Sequence, residues 1–259
     1  MNDERQTCVT PDLPHQPTMT SIRSWSGVLL VLEILLVIVV RTCSVEDAWA
    51  FPKTTHAVVT GGTKGIGHAI VTELAGPRHK CRVLTCSRKA DELQACVDEW
   101  KEQGMDVEGV VADVSTPEGR DDLLRGIGDF LGDQPLDILV NNVGSNIRKP
   151  SVDYSDEEFT SVLNTNFASM FHVTTACHSY LKRMPGETSS SVVNIGSVAG
   201  VTCIKSGTPY AATKAAMNQV TGNWACEWGP EGIRVNCVAP WYINTPLAAQ
   251  VLKNDEYRR

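Results

Sequence analysis

Tyr210 and Lys214 stand four residues apart at the end of the segment SVAGVTCIKSGTPYAATK, which runs from Ser197 to Lys214. On a helix that spacing puts both side chains on one face and within reach of each other. A phenol titrates near pH ~10, and an ammonium beside it favours the phenolate and pulls that value toward neutrality. A tyrosine so placed can give or take a proton at working pH. Ser197 follows the apolar run Val192, Val193 and Ile195, which reads as a buried strand. Strand end and helix start can then converge on one oxygen. A Tyr-x-x-x-Lys pair alone is more often a half-buried tyrosine beside a solvated lysine. The serine before it, and a glycine-rich loop at the other end of the domain, make it a constellation.

That loop is TGGTKGIG, with Gly61, Gly65 and Gly67, and it follows the apolar run Thr55 to Thr60. Beyond it Ile66, Ile70 and Leu74 recur at helical spacing until Gly76-Pro77. Strand, glycine turn and helix together let a backbone approach a pyrophosphate, with the amides of the helix N-terminus aimed at it. The second strand, Arg82 to Ser87, ends in Ser87-Arg88-Lys89 with no acid there to hold a ribose 2′-hydroxyl. An arginine at that place accommodates a 2′-phosphate, and Lys64 adds positive charge on the same side, so NADPH is expected over NADH. Arg88 and Lys89 could also merely begin a solvated helix.

The elements that position these groups follow in order. A helix is expected over Glu92 to Glu102, a third strand over Val107 to Val114 with Asp113 near the adenine edge, and a helix from a Ser115 cap and Pro117 to Gly132. Asp137 to Asn141 reads as the fourth strand, entering NNVGSN. A capping box, Ser155-x-x-Glu158, opens a long helix to about Lys182 with Asn166 inside it. A helix from Tyr210 to Trp228 and a sixth strand, Ile233 to Ala239, complete the pattern. Successive βα units require an α/β fold, a doubly wound Rossmann-type parallel sheet of about six strands with ligands at the carboxyl ends.

With 42% hydrophobic and 20% charged residues among 259, the chain has the material for one α/β domain, expected over residues 51–259. A net charge of -7 leaves no basic footprint for nucleic acid. The first fifty residues differ. The run from Gly27 to Val40 is apolar but fourteen residues long and carries Glu33, whereas a spanning helix needs ~20 and a central acid costs about 2.5–3.5 kcal/mol. Ala48-Trp49-Ala50 before Phe51 fits a signal cleavage site, for the secretory pathway or a plastid; a retained anchor over residues 27–40 is the alternative. Of nine cysteines, Cys81, Cys86, Cys177, Cys226 and Cys237 sit in apolar runs and are expected as buried free thiols. No zinc pattern is present, and no metal is expected.

From the glycine loop to Leu247, the segments TGGTKGIG, ADV, NNVG, the Ser197/Tyr210/Lys214 set and APWYINTPL resemble the short-chain dehydrogenase/reductase family. TCSR, NNVGSNIRKP and YAATKAAMNQ are most similar to its plant tropinone reductases. The resemblance implies Tyr210 as general acid/base, Lys214 as the group that lowers its pKa and holds the nicotinamide ribose, Ser197 on the substrate oxygen, and Asn166 holding a water of the proton relay. It implies cofactor contacts from Gly61, Thr63, Lys64, Gly65, Ile66 and Gly67 in the loop, Ser87 and Arg88, and Asp113 and Val114. Asn142, Val143 and Gly144 would line the ribose, and Pro240, Ile243 and Thr245 the carboxamide side, with Tyr210 and Lys214 shared. The expected reaction interconverts a small ketone and its secondary alcohol with NADPH, in a homo-oligomer paired through the helices carrying Asn166 and Lys214.

Family members continue to a seventh strand after this region, whereas the sequence ends at Arg259, so a C-terminally incomplete domain without that strand is expected. Two rival readings follow: a nucleotide-binding protein without turnover, and a membrane-tethered interaction protein anchored by residues 27–40.

Overall fold

His56–Thr60 is buried along its whole length and forms strand β1, as a central strand covered on both faces must be. The computed structural model describes residues 54–243 and 245. Around β1 the strands β2 (Arg82–Ser87), β3 (Val107–Val111), β4 (Ile138–Asn141), β5 (Ser190–Ile195) and β6 (Ile233–Val238) assemble in the order β3-β2-β1-β4-β5-β6. Every pairing is parallel. The register sets Thr60 beside Cys86, Asn141 beside Asn194 and Ile195 beside Val238, so the carboxyl ends open on one side. The order reverses between β1 and β4, which leaves a crevice above their ends.

Helices α1 (Gly65–Ala75), α2 (Ala90–Glu102), α3 (Pro117–Leu131), α4 (Asp156–Leu163), α5 (Ser169–Ala176), α6 (His178–Leu181) and α7 (Thr208–Trp228) cover the sheet. Alternate β1 side chains part to opposite faces. Val58 packs with Leu123, Ile127, Val173 and Trp224 under α3, α5 and α7. Ala57 and Val59 pack with Ile70, Leu74, Leu93 and Trp100 under α1 and α2. Burying each large apolar side chain contributes ~1.5–3 kcal/mol. A buried amide ladder locks β4 to β5: Asn141 Nδ2 donates to Asn194 Oδ1 and to Thr174 Oγ1, each at 2.8 Å, and Asn194 Nδ2 donates to Thr221 Oγ1 at 2.9 Å. Unpaired, those amides would cost more than they contribute when bonded.

Four local expectations are corrected. The helix expected from Ser155 to about Lys182 is broken: the capping box opens α4, a π-turn over Asn164–Ala168 follows, and α5 ends at Ala176. Thr116, not Ser115, caps α3, its Oγ1 accepting from Gly119 N at 3.1 Å, because Ser115 is drawn back to Asp113 Oδ1 at 2.6 Å. β3 ends at Val111, three residues early. Cys226 is exposed, since it lies on the outward face of α7, and Cys237 is only half-buried, while Cys81, Cys86 and Cys177 are buried free thiols as expected. Among the described residues no helix is long and apolar enough to cross a membrane. The expectations for residues 1–50 and for the chain after Thr245 lie outside the described residues.

Candidate active site

Gly61 and Gly65 hold φ of 74° and 58°, in the left-handed region that side chains resist, so the loop between β1 and α1 turns tightly enough to lay its backbone open. A Cβ on Gly67 would lie 2.2 Å from Gly61 O and 2.4 Å from Asn142 Nδ2. Thr85 and Asn142 clamp this turn from neighbouring strands. Gly62 N donates to Thr85 Oγ1 at 3.0 Å, and Asn142 Nδ2 donates to the carbonyls of Thr60 and Gly61, each at 3.0 Å. The side chain expected along a ribose is thus occupied in shaping the loop. Thr245 stands over the turn, its Cγ2 3.3 Å from where a Gly65 Cβ would be.

Above the carboxyl ends lies a cavity of about 1030 Å³. Of the loop residues, Gly61, Thr63, Lys64, Gly65 and Ile66 line it, and Gly67 lies behind them. Ser87, Arg88, Asp113 and Val114 line one end; Asn142, Val143 and Gly144 its middle; Ser197, Tyr210, Lys214, Pro240, Ile243 and Thr245 the other end. The charge at the first end is more balanced than the sequence implied. Lys64 and Lys89 both hold Glu92, at 2.8 and 2.9 Å, which keeps that carboxyl below its usual range, first through Lys64. Arg88 approaches Asp113 at 3.8 Å. Three cations and two carboxylates therefore meet at a strand end that carries no acid of its own.

At the opposite end, Gly196 N bonds Val238 O at 2.7 Å, and Ser197 turns the chain into a short 3₁₀ segment by accepting from Ala199 N at 3.1 Å. Its own hydroxyl bonds Tyr210, which sits in the first turn of α7 behind Gly207 and Pro209. Lys214, one turn further and 3% exposed, donates from Nζ to Ile195 O at 2.6 Å and lies 5.7 Å from the Tyr210 ring centre. Burial pushes its pKa down to about 8.

The tyrosine differs from expectation. Burial raises the Tyr210 pKa, and the counterweights are the Ser197 hydrogen bond and the Arg148 charge. The lysine does not bring the phenol toward neutrality here, because its ammonium is engaged by the Ile195 carbonyl and both charged forms are desolvated.

A family model described as short chain dehydrogenase matches residues 55–256. The chain belongs to the short chain dehydrogenase family. A tropinone reductase homolog of Arabidopsis thaliana is 46% identical over 212 residues, 82% of this chain and 78% of the relative. A second Arabidopsis thaliana homolog, named chloroplastic, is 45% identical over 212 residues, 82% of this chain and 64% of its own length. The crystal structure of a variant actinorhodin polyketide ketoreductase with NADPH aligns at TM-score 0.70 and 31% identity, covering 78% of this chain and 76% of that one. This short chain dehydrogenase is thus an oxidoreductase of the tropinone reductase-like kind.

Asn166 does not line the cavity. It is 0% exposed in the π-turn, and its amide spans two elements: Ser145 N donates to Oδ1 at 2.7 Å, while Nδ2 donates to Ser145 O at 2.9 Å and Thr213 Oγ1 at 3.2 Å. With both N–H groups committed, the side chain ties the segment after β4 to α7. Three other residues of the cavity are not marked by the sequence patterns: Glu92, Asn146 and Arg148. Glu92 stands at an ordinary helix start, whereas in NNVGSNIRKP a guanidinium two residues beyond an asparagine after a strand end is a usable sign.

Proposed function

We propose that the chain is an NADPH-dependent ketone reductase, interconverting a small carbonyl compound and its secondary alcohol. The observation that carries this is the meeting of Ser197, Tyr210 and buried Lys214 in one cavity with the glycine turn. Tyr210 is the proton donor: a phenol held above its ordinary range stays protonated at neutral pH, as reduction requires of a general acid. Ser197 orients the carbonyl oxygen, with its lone pair fixed by Ala199 N. Lys214 is the buried cation behind Tyr210, and Asn166 is a positioning residue. The cavity fits a nicotinamide dinucleotide, because a Cβ at Gly67 would collide with the turn that cradles the pyrophosphate. Gly61, Gly65 and Thr245 would hold its centre, and Lys64, Arg88 and Lys89 its 2′-phosphate. When bound, the nicotinamide supplies the hydride.

Support for NADPH comes from those three cations and from the NADPH in the ketoreductase structure. Fluorescence titration of NADPH and NADH, followed by rates on a ketone panel, tests the reading. Preferred binding of NADPH with ketone-dependent oxidation is expected; cofactor binding with no turnover of any ketone, as in a nucleotide-binding protein without catalysis, would overturn it.

Two properties of the whole molecule belong to the same proposal. The outward face of α7 presents Ala212, Ala215, Gly222 and Ala225, which admits a second copy closely; sedimentation should then give a homo-oligomer. Residues 1–50 act as a targeting segment, supported by the A-x-A site and by the chloroplastic relative. N-terminal sequencing of the native protein should then begin at Phe51.

A further inference from the structure

Asn146 and Arg148 line the same cavity as Tyr210, on the segment that leaves β4. Both side-chain atoms of the Asn146 amide are buried without a hydrogen-bond partner. Its Oδ1 lies 2.7 Å from where a Cβ on Gly207 would be, so the amide is packed against the turn that starts α7. A buried amide left unpaired is costly, so the Asn146 amide calls for a partner, which a ligand in the cavity can supply. The segment is held rigidly one residue earlier, where Asn166 takes both backbone groups of Ser145.

Charge points the same way. Among the described residues, the carboxylates lining the cavity are Glu92 and Asp113, both at the far end with Lys64, Lys89 and Arg88. The neighbouring Lys149 is paired with Glu158 and lies over the Tyr154 ring at 5.3 Å. Arg148 forms no ion pair among the described residues, and its charge reaches the Tyr210 phenol and favours the phenolate. Trp241 and Tyr242, whose rings tilt against each other with centroids 4.6 Å apart, also line the cavity and offer aromatic surface to a carbon skeleton.

We propose that the substrate of this site is an anionic carbonyl compound, an oxo acid whose carboxylate is held by Arg148 and the Asn146 amide while its carbonyl faces Ser197 and Tyr210. The inference rests on the ketone reductase reading and narrows it. Arg148 provides a planar pair of donors matched to a carboxylate, and Asn146 provides a further N–H. A cationic amino ketone meets Arg148 with like charge and is disfavoured.

The test is binding, which needs no turnover. Cyclohexanecarboxylate, cyclohexanecarboxamide and cyclohexylammonium are titrated into the full chain, with and without NADP+, by saturation-transfer NMR and calorimetry. The carboxylate should bind about tenfold or more tightly than the other two, the scale of one hydrogen bond to a charged group. That preference should vanish in Arg148→Gln and weaken in Asn146→Leu, with unfolding temperatures used to show that each variant is folded. Equal binding of the three probes by the wild-type chain overturns the proposal without recourse to any variant, as does a carboxylate preference that survives Arg148→Gln. Rates on 4-oxocyclohexanecarboxylate and 4-methylcyclohexanone then separate the two levels. Reduction of the neutral ketone with no carboxylate preference sinks the oxo-acid assignment and leaves the reductase reading standing. Arg148-dependent carboxylate binding with no reduction of either ketone keeps the anion site and removes the reductase.

Discussion

Lys214 brings an ammonium into the interior with one carbonyl, Ile195 O, to receive it. Its move from an ordinary 10.5 to about 8 corresponds to about 3 kcal/mol of burial cost on the charged form. Between about pH 8 and 10.5 the unfolded chain still binds the lysine proton that the folded chain has released, so stability rises with pH across that window. Lys214→Met removes this dependence. Urea unfolding of the cofactor-free protein should show the wild type gaining on the variant between pH 8 and 10, by about 2 kcal/mol at most. Parallel pH profiles would contradict the buried charge. Tyr210→Phe deletes the proposed proton donor and keeps the ring, so kcat should fall by about 10²–10⁴, the range of a general acid, with cofactor affinity little changed.

At the scale of elements, the π-turn between α4 and α5 is what turns Asn166 inward to reach both Ser145 and Thr213. Asn166→Ala leaves both backbone groups of Ser145 short of a partner, while the Thr213 hydroxyl keeps its bond to Tyr210 O, and the loss costs ~1–3 kcal/mol. Thermal unfolding should fall by on the order of 5 °C, and KM for the ketone should rise, because Ser145 leads directly into the Asn146–Arg148 segment. An unchanged KM would detach the π-turn from the substrate end. At the start of α2, Glu92 occupies both Lys64 and Lys89. Glu92→Gln would free two lysines for the proposed 2′-phosphate contact, a modest gain because such exposed pairs are screened by solvent. NADPH should then bind roughly two- to fivefold more tightly at low salt with NADH unmoved; equal gains for both would place the 2′-phosphate elsewhere.

For the whole molecule, the legible parts were those in which local sequence and fold agree. The glycine turn, the strand ends and the Tyr210–Lys214 spacing are encoded within a few residues, and the six parallel strands followed from their alternation with helices. What escaped depends on partners distant in sequence. The bracing by Asn166 escaped a helix pattern because Ser145 and Thr213, the groups it joins, lie 21 and 47 residues away. Thr116 displaced Ser115 as the α3 cap because Asp113 competes for the serine. The upward direction of the Tyr210 pKa comes from burial, which outweighs Ser197 and Arg148 and is not visible in a four-residue spacing. The reversal of strand order between β1 and β4 brings these separate pieces to one crevice. NADPH should accordingly stabilise the folded chain by mass action, with a thermal shift that grows with its concentration.

The most direct test of the central claim is transfer of deuterium from nicotinamide-deuterated NADPH to the carbonyl carbon of a ketone, followed by NMR in the wild type and in Tyr210→Phe. The expected result is deuterated alcohol from the wild type and, at saturating cofactor, almost none from the variant. Equal transfer by both would show that Tyr210 does not supply the proton and would contradict the assignment of this site.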